Sequence, residues 1–120
     1  MKIKAVDFVT YIVSDLNKSI EWYKDILGLK FDSSGDSWAE FDAGNLAIVL
    51  GTWGYDPNMK NGNGVALAVD DVKKALTELK KKGVKVDDEV WETPVCFGGA
   101  IEDLDGNKII LHQRKDQTFG

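Results

Sequence analysis

Apolar and polar residues alternate through Lys4–Val13, where β-branched and aromatic types dominate, and this pattern predicts a strand. Ser14 or Asp15 then offers a side-chain oxygen to cap a helix. Leu16, Ile20, Tyr23 and Leu27 recur at helical spacing and predict its apolar face, and Gly28 is placed to end it at positive φ. Leu29–Ser33, Ser37–Asp42 and Leu46–Leu50 predict three short strands, with Ser34-Gly35-Asp36 and Ala43-Gly44-Asn45 as the turns between them. The same order then returns. Gly64–Val69 predicts a strand and Asp70 or Asp71 a cap. Val72, Ala75, Leu76 and Leu79 predict the buried face of a helix ended by Gly83. Val84–Glu89 predicts a strand that continues irregularly through Trp91. Phe97–Glu102 and Lys108–Arg114 flank an Asp105-Gly106-Asn107 turn.

The chain is thus written twice. Val9–Phe31 is echoed by Val65–Val86, and Gly44–Leu50 (GNLAIVL) by Gly106–Leu111 (GNKIIL). The expected class is α+β, one domain built of two βαβββ modules. Module one covers residues 1–51, a connecting loop 52–62, module two 63–115 and a frayed tail 116–120. Each helix can cover only one face of its own sheet. The other face must meet the second module or a partner chain. Two modules side by side would make a curved, eight-stranded mixed sheet around a cleft, a natural ligand site.

Composition narrows the choices. At 120 residues, with 43% hydrophobic content, the chain can bury one core. A net charge of −5 disfavours nucleic-acid binding, which needs a basic patch, and tolerates a cationic ligand. No apolar run approaches a membrane span, and Met1–Lys4 leads straight into a strand-like segment rather than a signal peptide. The single cysteine, Cys96, excludes an intrachain disulfide and fits a reducing, cytoplasmic setting.

Two motifs carry a family resemblance. Val13-Ser14-Asp15-Leu16-Asn17-Lys18-Ser19-Ile20-Glu21-Trp22-Tyr23, followed by Leu27-Gly28-Leu29, resembles the D-x-x-x-S-x-x-F/W-Y-x-x-x-L-G-x stretch of the glyoxalase / bleomycin-resistance / extradiol-dioxygenase superfamily, the vicinal oxygen chelate fold. Glu102-Asp103-Leu104-Asp105-Gly106-Asn107-Lys108-Ile109 is similar to its D-P-D-G-N-x-I, with Leu104 where proline is usual. The resemblance covers nearly the whole chain and implies a paired βαβββ, glyoxalase-like architecture. It implies no single activity, because the fold hosts lyases, epimerases, dioxygenases, thiol transferases and drug-binding proteins.

The family's metal enzymes place His and Glu ligands on the opening strand and the last strand of each module. Counted from Asp15, Asp71 and the two Gly-Asn turns, those positions are Phe8, Gly64, Val49 and Ile110. None offers an imidazole, carboxylate or thiolate side chain. A slip of one residue does not rescue the set. Asp7 would serve only if the whole first strand turned over, and Asn63 is a poor ligand alone. The resemblance therefore points to a metal-free member with no cofactor.

The remaining candidates each have a plainer reading. His112, the only histidine, shares a strand face with Ile110 and is either a pocket polar group or a satisfied strand-end residue. Trp22 reads as packing, and Trp38 can face core or cleft. Trp53 and Tyr55 on the connecting loop, and Trp91 on the matching stretch of module two, can stack on a planar or cationic ligand, cap an open core or form a dimer contact. Asp87-Asp88-Glu89 and Glu92 read as solvated surface, and Cys96 as an inert thiol. Gly98-Gly99 permits a close backbone approach or a bulge.

The expectation is a metal-independent binder similar to the bleomycin-resistance proteins. Phe8, Val49 and Ile110 would floor its pocket and Trp38, Trp53, Tyr55 and Trp91 would wall it. His112 or Glu40 would orient an aromatic or cationic small molecule, and a homodimer is expected. One alternative is a lyase or dioxygenase with a displaced metal site of Glu40, Glu102 and His112. Another is a structural or regulatory dimer with a closed cleft.

Overall fold

The structure, a computed structural model, describes residues 1–58 and 64–120. The connecting loop at 59–63, and with it Asn63, lies outside the described residues. The chain divides into two compact units, residues 1–59 and 60–120. Each has a sheet with one helix packed against it, so the class is α+β.

In the first unit β1 (Phe8–Ile12), β2 (Lys30–Ser34), β3 (Trp38–Asp42) and β4 (Ala47–Gly51) form a sheet in the order β1-β4-β3-β2. β1 runs parallel to β4 and the rest is antiparallel. The predicted strand from Lys4 begins only at Phe8. Its partner among the described residues, β4, starts at Ala47, whose amide reaches back only to the Asp7 carbonyl at 3.5 Å. Asp15, not Ser14, caps helix α1 (Leu16–Glu21) by accepting from the Lys18 amide at 3.1 Å.

Helix α1 runs on into a wider, π-helical turn at Trp22–Ile26, marked by the Leu27 amide donating to the Trp22 carbonyl at 3.0 Å. That turn moves the buried face. Ser19, Trp22 and Tyr23 are buried, whereas Leu16, Ile20 and Leu27 of the predicted stripe are only half-buried. Gly28 follows at φ 79°. The core under the helix is aromatic. Tyr23 lies 5.1 Å from Trp22, 5.8 Å from Phe41 and 6.4 Å from Tyr11, and Phe41 meets Phe31 at 5.6 Å.

The second unit repeats the order with β5 (Ala66–Ala68), α2 (Val72–Lys81), β6 (Lys85–Val86), β7 (Trp91–Glu92), β8 (Cys96–Glu102) and β9 (Lys108–Arg114). Its sheet runs β5-β9-β8-β6, with β7 also on β8. Asp71, not Asp70, caps α2 at 3.0 Å from the Lys74 amide. Gln113 of β9 accepts from the Val72 amide at 2.9 Å and ties the helix start to the sheet. Val72, Leu76 and Leu79 are buried as predicted and Ala75 is half-buried. They pack with Val84, Ile101, Ile109 and Leu111 in an aliphatic core.

The expectation of one eight-stranded sheet is corrected: the described residues form two sheets, of four and five strands. The extra strand arises in the irregular continuation of the predicted Val84–Glu89 strand through Trp91. Lys85–Val86 pairs with Ile101–Glu102 and Trp91–Glu92 with Phe97–Gly98. Four residues between these pairs face only two on β8, so the edge strand bulges and splits. The turn after β8 is built by Asp103, whose carboxylate accepts from the Asp105 and Asn107 amides and from Asn107 Nδ2 at 2.7–2.9 Å. Leu104, where proline is usual, is exposed there.

Candidate functional site

Residues paired across a sheet share a face, so register decides which candidates meet. In the first unit Phe8 pairs with Ala47, Thr10 with Val49, Val49 with Glu40, and Trp38 with Gly51. Phe8, Val49, Glu40 and Trp38 therefore lie together on the face opposite the helix. Phe8 is 56% exposed and Trp38 37%. Trp53, just beyond β4, folds back onto the same face. Its six-membered ring lies where a side chain on Gly51 would be, and its Nε1 donates to Ser37 Oγ at 3.2 Å. Tyr55 is exposed in the following turn, its amide donating to the Thr52 carbonyl.

Beside this face lies a shallow depression of about 190 Å³ lined by Asp32, Glu40, Asp42, Leu46 and Ala47. The β2 bulge at Asp32 brings its carboxylate to Glu40. A hydrogen bond with Asp32, then burial, then the negative charge of Asp32 hold the Glu40 carboxyl above its usual value.

In the second unit Ile110 pairs with Ala66 and Ala100, and His112 with Ala68 and Gly98. All lie on the face opposite α2. Trp91 pairs with Gly98 from the other side, its ring lying over that glycine, with centroid 6.2 Å from the His112 ring and planes 45° apart. Gly64 is half-buried just before β5. The acidic run Asp87-Asp88-Glu89 is exposed, with Asp88 paired to Lys80 at 3.3 Å, and Glu92 is paired to Lys115. Cys96 is buried, its Sγ 3.0 Å from Thr93 Oγ1.

The family's metal does not fit these residues. Phe8 and Val49 on one face, and Ile110 on the other, are hydrocarbon, and Gly64 has no side chain. Among the described residues, no three His, Cys, Asp or Glu side chains are grouped to hold a cation. The displaced set fares no better. Glu102 pairs with Lys108, four residues along β9 from His112, or roughly 13 Å at strand rise. Glu102 is instead held by Lys85 at 2.9 Å and Lys108 at 3.6 Å. The Lys85 hydrogen bond first, aided by the Lys108 charge, lowers its carboxyl below the usual value.

Sequence reasoning passed over Gly51, Ser37 and Asp32. A glycine interrupting an apolar strand two residues before a tryptophan is the one signal that could have flagged Gly51. Gly98-Gly99 was flagged as a close approach, and it is one on both faces. A side chain on Gly98 would meet Trp91, and one on Gly99 would sit 2.6 Å from Leu76 Cδ1.

Known proteins share this chain's pattern. A probable lactoylglutathione lyase of Synechocystis is 36% identical, covering 84% of this chain and 88% of its own. The metallothiol transferase FosB of Staphylococcus epidermidis is 29% identical, covering 92% and 84%. Among solved structures, TnmS3, an antibiotic binding protein from Streptomyces sp. CB03234, is 28% identical with a TM-score of 0.78, covering 96% of this chain and 99% of its own. Among the described residues no helix is long and apolar enough to cross a membrane. The profile of one family matches residues 5–111, and the chain accordingly belongs to the Glyoxalase/Bleomycin resistance protein/Dioxygenase superfamily.

Proposed function

We propose that this protein binds a planar aromatic or cationic small molecule without a metal, on the sheet faces its helices leave uncovered. The observation that carries this reading is the exchange of metal donors for hydrocarbon at Phe8, Val49 and Ile110, next to tryptophans that each present one ring face. A family metal site would need ionised or imidazole donors in those places. Aromatic rings exposed at 37–49% instead suit stacking on a flat or positively charged partner. The likeness to TnmS3 supports the same reading. Phe8, Trp38, Val49 and Trp53 would contact ligand in the first unit and Trp91, Ile110 and His112 in the second. Glu40 and Tyr55 would border the first face. A cytoplasmic homodimer is part of the proposal.

Titration with basic planar aromatics, followed by tryptophan fluorescence, tests it. Saturable quenching that survives exhaustive chelation is expected. Silence across a broad panel would overturn the binding role. The names of FosB and the lyase favour a second reading, a metal-dependent enzyme. A stoichiometric divalent metal found by elemental analysis, lost in His112→Ala, would establish that reading and displace the first.

A further inference from the structure

Trp91, Gly98 and His112 stand in one row across β7, β8 and β9, each directly opposite the next. The middle position has no side chain. The six-membered ring of Trp91 fills that space, with Cζ2, Cε2 and Cη2 its nearest atoms to where a Cβ would be. Gly98 is buried as a result, while Trp91 remains 41% exposed, so the ring has one face on backbone and one outward. By crossing the glycine the ring comes within 6.2 Å of the His112 ring. Small side chains surround the pair: Ala68 opposite His112, and Ala100 two residues along β8. The first unit reaches the same arrangement by another route, because Trp53 covers Gly51 from its own strand's continuation rather than from a neighbour. A third indole, Trp38, lies against Gly35, so each half-exposed indole has a glycine beneath it.

We infer that Gly98 is a positioning residue: lacking a side chain, it seats the Trp91 indole across β8 beside His112 and so sets an aromatic shelf for one planar conjugated ring. The inference rests on the binding reading above and adds the residue that determines it. A methyl group at position 98 takes the ring's place. The indole must then lift or swing away, and its contact with His112 opens. Gly98 is not among the positive-φ glycines, so alanine is compatible with its backbone.

Two measurements test the seat separately from the binding. The first needs no ligand. In proton NMR the indole ring current is expected to displace the His112 ring protons in the native protein. Trp91→Leu removes the displacement, and Gly98→Ala and Gly98→Ser are both expected to remove most of it. Native-like His112 shifts in both glycine variants would overturn the seat. The second is calorimetric titration with 9-aminoacridine and anthraquinone-2-sulfonate, a planar cation and a planar anion. Gly98→Ala and Trp91→Leu are each expected to weaken binding about tenfold, and the double variant to bind no worse than Trp91→Leu alone. Additive losses would overturn the positioning role. If neither probe binds the native protein, the binding reading and the shelf's use fail, while the NMR arm still decides whether Gly98 seats Trp91.

Discussion

The two units share an order of elements and differ in what fills it. The first packs rings under its helix, with Tyr11, Trp22, Tyr23 and Phe41 buried, and turns bulky groups outward on its other face. The second packs branched aliphatics under its helix and sets the small residues Ala66, Ala68, Ala100 and Gly98 on the opposite face, beside Ile110 and the Trp91–His112 pair. Topology therefore constrains neither core chemistry nor surface texture. It fixes which positions face which way, and each unit has used that freedom differently.

The largest expected effects lie in the cores. Phe41→Ala should cost about 3–5 kcal/mol and Leu111→Ala about 2–5 kcal/mol by chemical denaturation. They should part in near-ultraviolet circular dichroism, where Phe41→Ala weakens the aromatic bands and Leu111→Ala leaves them. Equal spectral losses would break the contrast between an aromatic and an aliphatic core.

The turns come next. Asp103 is buried and its carboxylate accepts from the Asp105 and Asn107 amides and from Asn107 Nδ2, whereas Asp42, at the matching turn, is exposed and accepts from the Gly44 amide at 2.8 Å. Asp103→Ala should cost about 1–3 kcal/mol by removing the carboxylate to which the Asn107 amide and Nδ2 donate, and Asp42→Ala about 0.5 kcal/mol. A comparable cost at both turns would show that burial is not what separates them.

The helix caps sharpen the likeness rather than the difference. Asp15→Ala and Asp71→Ala should each lose about 1 kcal/mol, since each removes one acceptor from a first-turn amide. A loss confined to one of them, read from the same denaturation curves, would mean that the helix starts are not equivalent.

The smallest effects concern pH, and their signs oppose. Glu102 is held below its usual value, so its stabilisation is present above the unfolded carboxyl range and is lost as pH falls through its folded value. Glu102→Gln should cost about 0.2–1 kcal/mol at neutral pH and nothing in acid. Glu40 is held above its usual value, so its favourable contribution is confined to acid and disappears as pH rises through the folded value. Glu40→Gln should be neutral or stabilising at pH 7. Stability curves of the same slope for both variants would contradict the two environments.

What the sequence announced was local. A cap at Ser14 or Asp15 and another at Asp70 or Asp71, stops at Gly28 and Gly83, and the apolar stripe of α2 follow from spacing within a few residues, where side chain and backbone decide together. Strand alternation left Trp38 able to face core or cleft, and only the register of β3 on β4 puts it on one face with Glu40 and Val49. What stayed hidden depends on partners far along the chain. The π-helical turn follows Trp22 and Tyr23 into one core. The split of β6 from β7 reflects a count of residues on β8. Glu102, offered as part of a displaced metal site, is instead taken up by Lys85 and Lys108, which only the fold brings beside it. The seats under Trp53 and Trp91 are tertiary contacts of residues with no side chain to reveal them.

At Gly98 and Gly99 the sheet is one backbone thick. Leu76 of the helix presses on one side and the Trp91 ring rests on the other, with no side chain of β8 between them. A wall that thin works as a diaphragm. A protein keeping Trp91 as its sole tryptophan would carry an optical gauge, reading through the sheet any change in how the helix is packed behind it.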